Sequence, residues 1–185
     1  MGFTDADIEQ LAGRIRKMKE TGTHLCCSIG FLTEKQAKML KDAGLDRINH
    51  NLNSSRNYYS HICTTHTFDQ RVENIHMLQR IGFEICSGGT IGMGESKEDV
   101  VDMLLELKEI NPKLFRSNFL LPIPGTPLGD QDISGLTYEY GMKVLCLARL
   151  LVPQSDIRCA AGREVYFKGH EKELLSVVDS IFASG

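Results

Sequence analysis

The sequence predicts an α/β fold, a partial (β/α)8 barrel of the TIM type with about six of the eight β/α repeats. Short apolar runs alternate with amphipathic helical segments along the 185 residues. Three helical segments end on glycine just before the next strand, at Gly22, Gly44 and Gly82. Polar residues gather where strands end, as at the mouth of a barrel. An open doubly wound sheet also fits the alternation, and the polar strand ends favour the barrel.

Six helices are predicted from apolar spacing and from capping residues. Thr33 and Thr67 each precede a glutamine by three residues, which is the pattern of a capping box, and Ser96 precedes the fourth helix. Pro112 follows that helix, which it cannot continue. The predicted helices span residues 4–20, 33–43, 67–82, 96–110, 138–151 and 171–178.

Short apolar runs between the helices predict six strands, and the third of them is expected to break at Ser87 into a glycine-rich turn. Six strands do not close the usual eight-stranded barrel. We therefore expect one domain, residues 1–185, that is the C-terminal part of a barrel cut at both ends. The predicted strands span residues 24–29, the first half of 46–53, 83–86, 115–121, 156–160 and 180–183.

The composition excludes several classes of protein. The chain is 42% apolar and 24% charged, which is ordinary for a globular protein and far from the range of disordered chains. A net charge of −3 gives no electrostatic footprint for nucleic acid or for an anionic membrane. No apolar run approaches the roughly 20 residues that span a bilayer, and no secretory signal is visible. We expect a cytoplasmic protein without a nucleic-acid or membrane partner.

The six cysteines can be residues of the core or ligands in a functional site. Free cysteine is often a buried small hydrophobe, which would make these residues part of the core. No C-x-x-C occurs, which excludes zinc ribbons and thioredoxin-like redox motifs. The six histidines show no H-x-x-x-H pair, so the sequence also predicts no histidine metal site.

Three residues, Cys26, Cys86 and Arg158, lie in the middle or second half of three different predicted strands. In a barrel such positions converge near the axis at the end where active sites are built. The cysteines and the arginine therefore become candidates for a common site.

Four asparagines are candidates for binding a ligand. Asn49, Asn51 and Asn53 alternate along one predicted strand and its end, so we expect them to point the same way. Asn118 lies within an otherwise apolar strand. A buried amide needs partners for about four hydrogen bonds. The alternative is that these amides bind the backbone of turns.

Five segments in order resemble the biotin synthase family, at similar spacings along essentially the whole chain. Any one of them is unspecific, and the ordered set is specific. The segments are Asn49-His50-Asn51-Leu52-Asn53, Thr64-Thr65-His66-Thr67, Cys86-Ser87-Gly88-Gly89, Gly125-Thr126-Pro127-Leu128 and Ile157-Arg158-Cys159-Ala160-Ala161-Gly162-Arg163-Glu164.

The resemblance implies a radical S-adenosylmethionine (SAM) enzyme, a sulfurtransferase with a (β/α)8 barrel. Biotin synthases insert sulfur into dethiobiotin. In that family a [4Fe–4S] cluster cleaves SAM, the resulting deoxyadenosyl radical abstracts hydrogen, and a [2Fe–2S] cluster donates the sulfur. Further implied partners are a reducing electron-donor protein and, in the complete enzyme, a second copy of the chain in a homodimer.

The resemblance also assigns roles to residues. Cys26, Cys86 and Arg158 match metal ligands of the [2Fe–2S] cluster. The dethiobiotin ring is assigned to Asn49 and Asn118. No catalytic residue is predicted. The residues matched to SAM binding are Asn51, Asn53, Arg71 and Thr90, of which Arg71 would pair with the methionine carboxylate and Thr90 lies in a glycine-rich loop that keeps Glu95 of the family pattern.

One family motif has no counterpart among the 185 residues: the C-x-x-x-C-x-x-C loop that holds the [4Fe–4S] cluster. We therefore expect the sequence to be an incomplete biotin synthase, the C-terminal part of a radical SAM barrel, that is inactive by itself. Two alternatives remain open. One is a non-catalytic remnant that binds a ligand or a partner, and the other is a related radical enzyme with another substrate.

Overall fold

The computed structural model describes residues 2–182. Its strands are β1 (Cys26–Ser28), β2 (Arg47–Asn49), β3 (Glu84–Ile91), β4 (Leu114–Phe119), β5 (Asp156–Cys159) and β6 (Ser180–Ile181). Its helices are α1 (Asp5–Lys19), α2 (Glu34–Asp42), α3 (Tyr59–Ile62), α4 (Phe68–Ile81), α5 (Lys97–Ile110), α6 (Tyr138–Leu151), α7 (Arg163–Tyr166) and α8 (Glu171–Leu175). The last strand was predicted to reach Ala183, which lies outside the described residues.

The six strands form one sheet in the order of the sequence, β1 to β6. The pairs β1–β2, β2–β3, β4–β5 and β5–β6 are parallel. A doubly wound sheet reverses its strand order at a switch point, whereas a (β/α)8 barrel adds each strand beside the previous one. The prediction of a partial barrel is therefore confirmed. None of the helices within residues 2–182 is long and apolar enough to cross a membrane.

The chain divides into two compact units. Unit 1 contains the described residues up to His50 together with Asp69–Cys86, and unit 2 contains Asn51–Phe68 and the described residues from Ser87 onward. The core of unit 1 is mainly aliphatic and includes Ile8, Leu40, Ile48, Ile75 and Leu78. The core of unit 2 contains aromatic side chains, among them Phe115, Phe119 and Phe167. The rings of Phe119 and Phe167 meet edge to face with centroids 5.0 Å apart.

The capping residues begin helices where the sequence predicted them. Thr33 accepts a hydrogen bond from the Gln36 amide and Gln36 accepts one from the Thr33 amide, which completes a capping box. Ser96 makes the same reciprocal pair with Asp99 at the start of α5. These caps fix the strand-to-helix turns that lead out of the sheet.

The structure corrects two predicted elements and adds two short helices. Strand β3 does not break at Ser87 but continues to Ile91, because glycine at 88 and 89 lets the β4 backbone and the Met103 side chain approach. Helix α8 ends at Leu175 rather than at residue 178. The sequence also missed α3 and α7, since four residues are too few to show helical periodicity.

Candidate functional site

Asn49 is the last residue of β2 and occupies one row of unit 1 with Ser28 of β1 and Cys86 of β3. The amide of the following residue, His50, donates to the carbonyl oxygen of Cys86 at 2.9 Å. The Asn49 side-chain oxygen is buried and has no hydrogen-bond partner among residues 2–182. An unpartnered buried acceptor costs free energy, so this amide is suited to a ligand that donates a hydrogen bond.

The two predicted cysteine ligands lie on one face of the sheet in unit 1. Side chains alternate along a strand, and register partners share a face. Cys26 pairs with Arg47, two residues before the row of Asn49 and Cys86, so Cys26 and Cys86 share a face. Cys26 is exposed and Cys86 is buried.

Cys27, which adjoins the first of these cysteines, lies on the opposite face by the same alternation. Burial raises the pKa of the Cys27 thiol, and the neighbouring Cys26 adds to the increase. Because the thiolate is the form that binds metal, the raised pKa makes Cys27 a poorer metal ligand.

The alternation expected of the three asparagines is wrong beyond Asn49, because β2 ends there. Asn53 adopts a left-handed backbone with φ of 72° and forms an isolated parallel bridge with Gly89. Its amide donates to the carbonyl of Gly88, and its carbonyl accepts from the amide of Thr90, both at 3.0 Å. The Asn51 side-chain oxygen is buried and lacks a hydrogen-bond partner among the described residues.

A cavity of about 580 Å³ in unit 2 is lined by two of the residues predicted to bind SAM, Asn53 and Thr90. Its volume is in the range of sites for small molecules and cofactors. Most of its wall is apolar, and the other lining residues are His61, Ile62, Met93, Leu120, Leu121, Ile123, Thr126, Pro127 and Leu128.

The loop after β3 is held by Glu95, whose carboxylate accepts hydrogen bonds from the amides of Gly92 and Met93, both at 2.7 Å. Tyr58 also holds this loop, since its hydroxyl donates to the carbonyl of Met93 at 2.9 Å. The glutamate of the family pattern therefore shapes the cavity wall. Sequence reasoning missed Tyr58, which belongs to no motif, and Met93, which stands at an unspecified position of the glycine-rich loop.

Asn118 is partly occupied by the fold of unit 2. Its side-chain nitrogen donates to the carbonyl of Gly89 at 3.3 Å, and its oxygen accepts from the amide of Ala161 at 3.4 Å. Both bonds are long, and the amide keeps one donor hydrogen and one acceptor lone pair for other partners. Two of the four hydrogen bonds that the Asn118 amide can form therefore go to the backbone. This agrees in part with the alternative that these amides bind the backbone of turns.

Arg158 lies on β5 beside Arg116 of β4 and Ser180 of β6. Its Nε donates to the Ser180 hydroxyl at 2.9 Å. The guanidinium groups of Arg116 and Arg158 both face the ring of Phe182, at 4.7 and 5.6 Å from the ring centroid. Two half-buried cations at one place favour an anionic ligand.

Arg71 lies in the first turns of α4 in unit 1 and is half-buried. Its guanidinium carbon is 5.5 Å from the centroid of the Phe31 ring. This packing restricts the long side chain of Arg71, and a guanidinium held in place is a suitable group for binding a carboxylate.

No group of three or more His, Cys, Asp or Glu side chains among residues 2–182 is arranged to hold a metal ion. The ligands predicted for the [2Fe–2S] cluster are two cysteines and an arginine, Cys26, Cys86 and Arg158. Because one of them is an arginine, they are not a group of this kind. The side-chain oxygens of Asn49 and Asn51 and the Nε of Arg116, which have no hydrogen-bond partner in the described part of the chain, fit polar ligands. The cysteines present do not fit a [4Fe–4S] cluster, since none are spaced as C-x-x-x-C-x-x-C.

Two family profiles match the chain. The Radical SAM superfamily matches residues 2–107, and the Biotin and Thiamin Synthesis associated domain matches residues 117–185. Both units of the chain contain residues matched by these profiles.

Curated relatives agree with these profiles. The chain is 45% identical over 186 residues to the biotin synthase of Thermus thermophilus, which covers 100% of this chain and 56% of the relative. It is 40% identical over 180 residues to that of Sulfurihydrogenibium sp. (strain YO3AOP1), which covers 97% of this chain and 54% of the relative. The chain thus spans about half the length of the curated relatives it matches.

Solved structures agree on the fold. Methylornithine synthase superposes with a TM-score of 0.76 at 19% identity, over 95% of this chain and 52% of that one. An FeFe-hydrogenase maturase from Carboxydothermus hydrogenoformans superposes with a TM-score of 0.79 at 14% identity, over 97% of this chain and 44% of that one.

Proposed function

The chain belongs to the radical SAM superfamily, and from that membership we propose that it is part of a biotin synthase, in which it binds SAM and dethiobiotin for sulfur insertion. The observation that carries the proposal is the extent of the match. The eight biotin synthases compared are 37 to 45% identical to this chain and align with 96 to 100% of it.

We propose that SAM binds in the cavity lined by Asn53 and Thr90. The apolar wall would pack against the nucleoside, and the two polar side chains would orient it by hydrogen bonds. The buried Asn51 oxygen, which has no partner among residues 2–182, is suited to a donor group of the same cofactor. The resemblance to biotin synthases assigns the methionine carboxylate to Arg71, since a guanidinium can bind a carboxylate through two hydrogen bonds. When bound, SAM supplies the radical and the auxiliary cluster supplies the sulfur.

We propose that dethiobiotin binds to Asn49 and Asn118. The ureido ring of dethiobiotin presents two N–H donors and one carbonyl acceptor. The buried Asn49 oxygen is an acceptor suited to a ring N–H, and the remaining Asn118 N–H is a donor suited to the carbonyl. Cys86 occupies the same row as Asn49, which is consistent with a sulfur donor held close to the substrate.

We propose that Cys26, Cys86 and Arg158 are the ligands that this chain gives to the [2Fe–2S] cluster. The second cation, Arg116, would favour an anionic cluster at Arg158. An electron-donor protein and a homodimer are proposed for the complete enzyme, which we expect in the cytoplasm.

The proposal predicts that the 185 residues alone do not cleave SAM, because they carry no cysteine trio for a [4Fe–4S] cluster. The assay is anaerobic reconstitution with iron and sulfide, followed by measurement of deoxyadenosine with a chemical reductant. Deoxyadenosine above the no-protein control would contradict this prediction.

The proposed function is tested by segment exchange. The part of the Thermus thermophilus biotin synthase that aligns with this chain is replaced by this chain, and the chimera is expressed in a strain that lacks biotin synthase. We expect growth on dethiobiotin, and no growth when the chimera carries Cys86→Ala. A folded chimera that cleaves SAM without forming biotin would indicate a radical enzyme with another substrate. A folded chimera that binds neither ligand would indicate a non-catalytic remnant.

A further inference from the structure

Cys63 lies outside the site described above, in the loop between α3 and α4. Its sulfur is 3.5 Å from the hydroxyl oxygen of Thr65 and 3.6 and 3.5 Å from Nδ1 and Nε2 of His66. The His66 ring is itself fixed, since Thr65 Oγ1 is 3.0 Å from Nδ1 and the Tyr59 hydroxyl is 2.8 Å from Nε2. We call Cys63, Thr65, His66 and Tyr59 the Cys63 cluster.

The cluster has the arrangement of an activated thiol. A nucleophile lies beside a basic ring, and a third group orients that ring. Tyr59 is buried and anchors the cluster, whereas Thr65 is exposed and Cys63 is half-buried. A small reagent can therefore reach the sulfur from the side of Thr65.

We propose that Cys63 is a modification site, a nucleophilic thiolate that Thr65 and His66 stabilise and that reacts with soft electrophiles and with peroxides. Alkylation forms an S–C bond and expels the leaving group of the electrophile. The thiol proton is released to solvent, which reaches the sulfur from the side of Thr65. With a peroxide, the sulfur attacks one oxygen and the O–O bond breaks. Sulfur is oxidised to sulfenic acid, and the leaving oxygen is reduced and takes up a proton.

The surroundings of the thiol support this assignment. Burial raises the pKa of Cys63, and hydrogen bonds from the Thr65 hydroxyl, the Thr65 and His66 amides and Tyr59 together outweigh burial and lower it. The opposite holds for Cys159, where burial raises the pKa to about 12. Reactivity follows the fraction of thiolate, so the two cysteines should differ strongly.

The test is competitive alkylation of the 185-residue chain with iodoacetamide at neutral pH, read by mass spectrometry for each cysteine. Cys146, which is exposed on α6, serves as the reference thiol. We expect Cys63 to react faster than Cys146 by about threefold or more, a moderate factor because nucleophilicity falls as thiol pKa falls. Equal or slower reaction of Cys63 in the native chain overturns the proposal.

Matched variants test the role of the cluster. Thr65→Val removes one donor at an exposed position, and His66→Phe removes the ring nitrogens. Each of these two variants should lower the rate of Cys63 alkylation by about half or more. Thr64→Val, at the preceding exposed residue, should leave the rate unchanged. Cys159 reports folding, since it is buried and should stay unmodified in every variant retained. Equal rates in Thr65→Val, His66→Phe and Thr64→Val would overturn the proposal.

Discussion

Arg116 and Arg158 are register partners on β4 and β5, and both guanidinium groups face the ring of Phe182. The Nε of Arg116 is buried and has no hydrogen-bond partner within residues 2–182. Nor does a carboxylate of the described residues form an ion pair with either arginine. Two neighbouring cations that have no counter-ion among residues 2–182 raise the free energy of the ligand-free chain, and an anionic ligand would remove that cost.

Arg116→Leu should therefore stabilise the ligand-free chain. It removes a buried unpaired donor and a like-charge repulsion, and it loses only one cation–π contact. We expect the free energy of unfolding to rise by about 1 kcal/mol. Arg149→Leu is the matched control, because Arg149 donates to Val177, Ser155 and Asp179. That variant should lose about 2 kcal/mol in urea denaturation. A loss in both variants would refute the electrostatic argument.

Gly88→Ala should disrupt the sheet of unit 2. A Cβ at residue 88 would lie 1.8 Å from the carbonyl oxygen of Arg116, so the backbone of β4 would have to move. We expect a loss of about 3 kcal/mol or more in the free energy of unfolding. Gly13→Ala, where a Cβ meets nothing within 4 Å, should instead gain about 1 kcal/mol in α1. Thermal unfolding midpoints of Gly88→Ala and Gly13→Ala measure this difference in stability. Equal midpoints in the two variants would contradict the prediction.

Local signals predicted the fold well. Helix α6 has the bounds Tyr138–Leu151 that its apolar spacing indicated, and the caps at Thr33 and Ser96 begin α2 and α5. Each of these signals lies within the element or next to it, so it can be recognised in the sequence alone. The parallel order followed from the alternation of strands and helices.

Signals that depend on distant partners were missed. Strand β3 runs through Gly88 only because the backbone of β4 approaches it, and β4 lies more than twenty residues away in the chain. Asn53 takes its left-handed conformation in the bridge to Gly89. The motif residues Asn53 and Thr90 could be predicted to line a binding site. The apolar wall of the cavity could not be predicted, because its residues come from segments that are distant in the sequence.

Asp46 should make the stability of unit 1 depend on pH. Its carboxylate accepts hydrogen bonds from the Leu25 amide at 2.7 Å and from Lys19 at 2.8 Å. Burial raises the pKa of Asp46, and these two partners together lower it below its ordinary 3.8. A carboxyl with a lowered pKa stabilises the fold above its unfolded pKa, and this contribution is lost as pH falls through the folded value.

We therefore expect Asp46→Asn to lower the free energy of unfolding by about 1 kcal/mol at neutral pH, a figure reduced for the partial exposure of the ion pair. The difference from the native chain should shrink once the pH is below the ordinary carboxyl range. Asp102→Asn, exposed on α5, is the control and should change little at either pH. Urea denaturation at the two pH values measures both, and a difference that persists in acid would rule out the carboxylate as its source.

Arg71 should set the affinity for SAM through its charge and its shape. A guanidinium can bind the methionine carboxylate through two parallel hydrogen bonds, and the start of α4 also favours an anion. In the chimeric enzyme, we expect Arg71→Lys to weaken SAM binding, because lysine keeps the charge but not the fork. Arg71→Ala should weaken it further, by about 2 kcal/mol or more.

Arg80→Ala, exposed in the last turn of the same helix, is the matched control. Isothermal titration of SAM and dethiobiotin gives both affinities, and the dethiobiotin affinity measured without SAM should barely change. An unchanged SAM affinity in Arg71→Ala would remove this residue from the site.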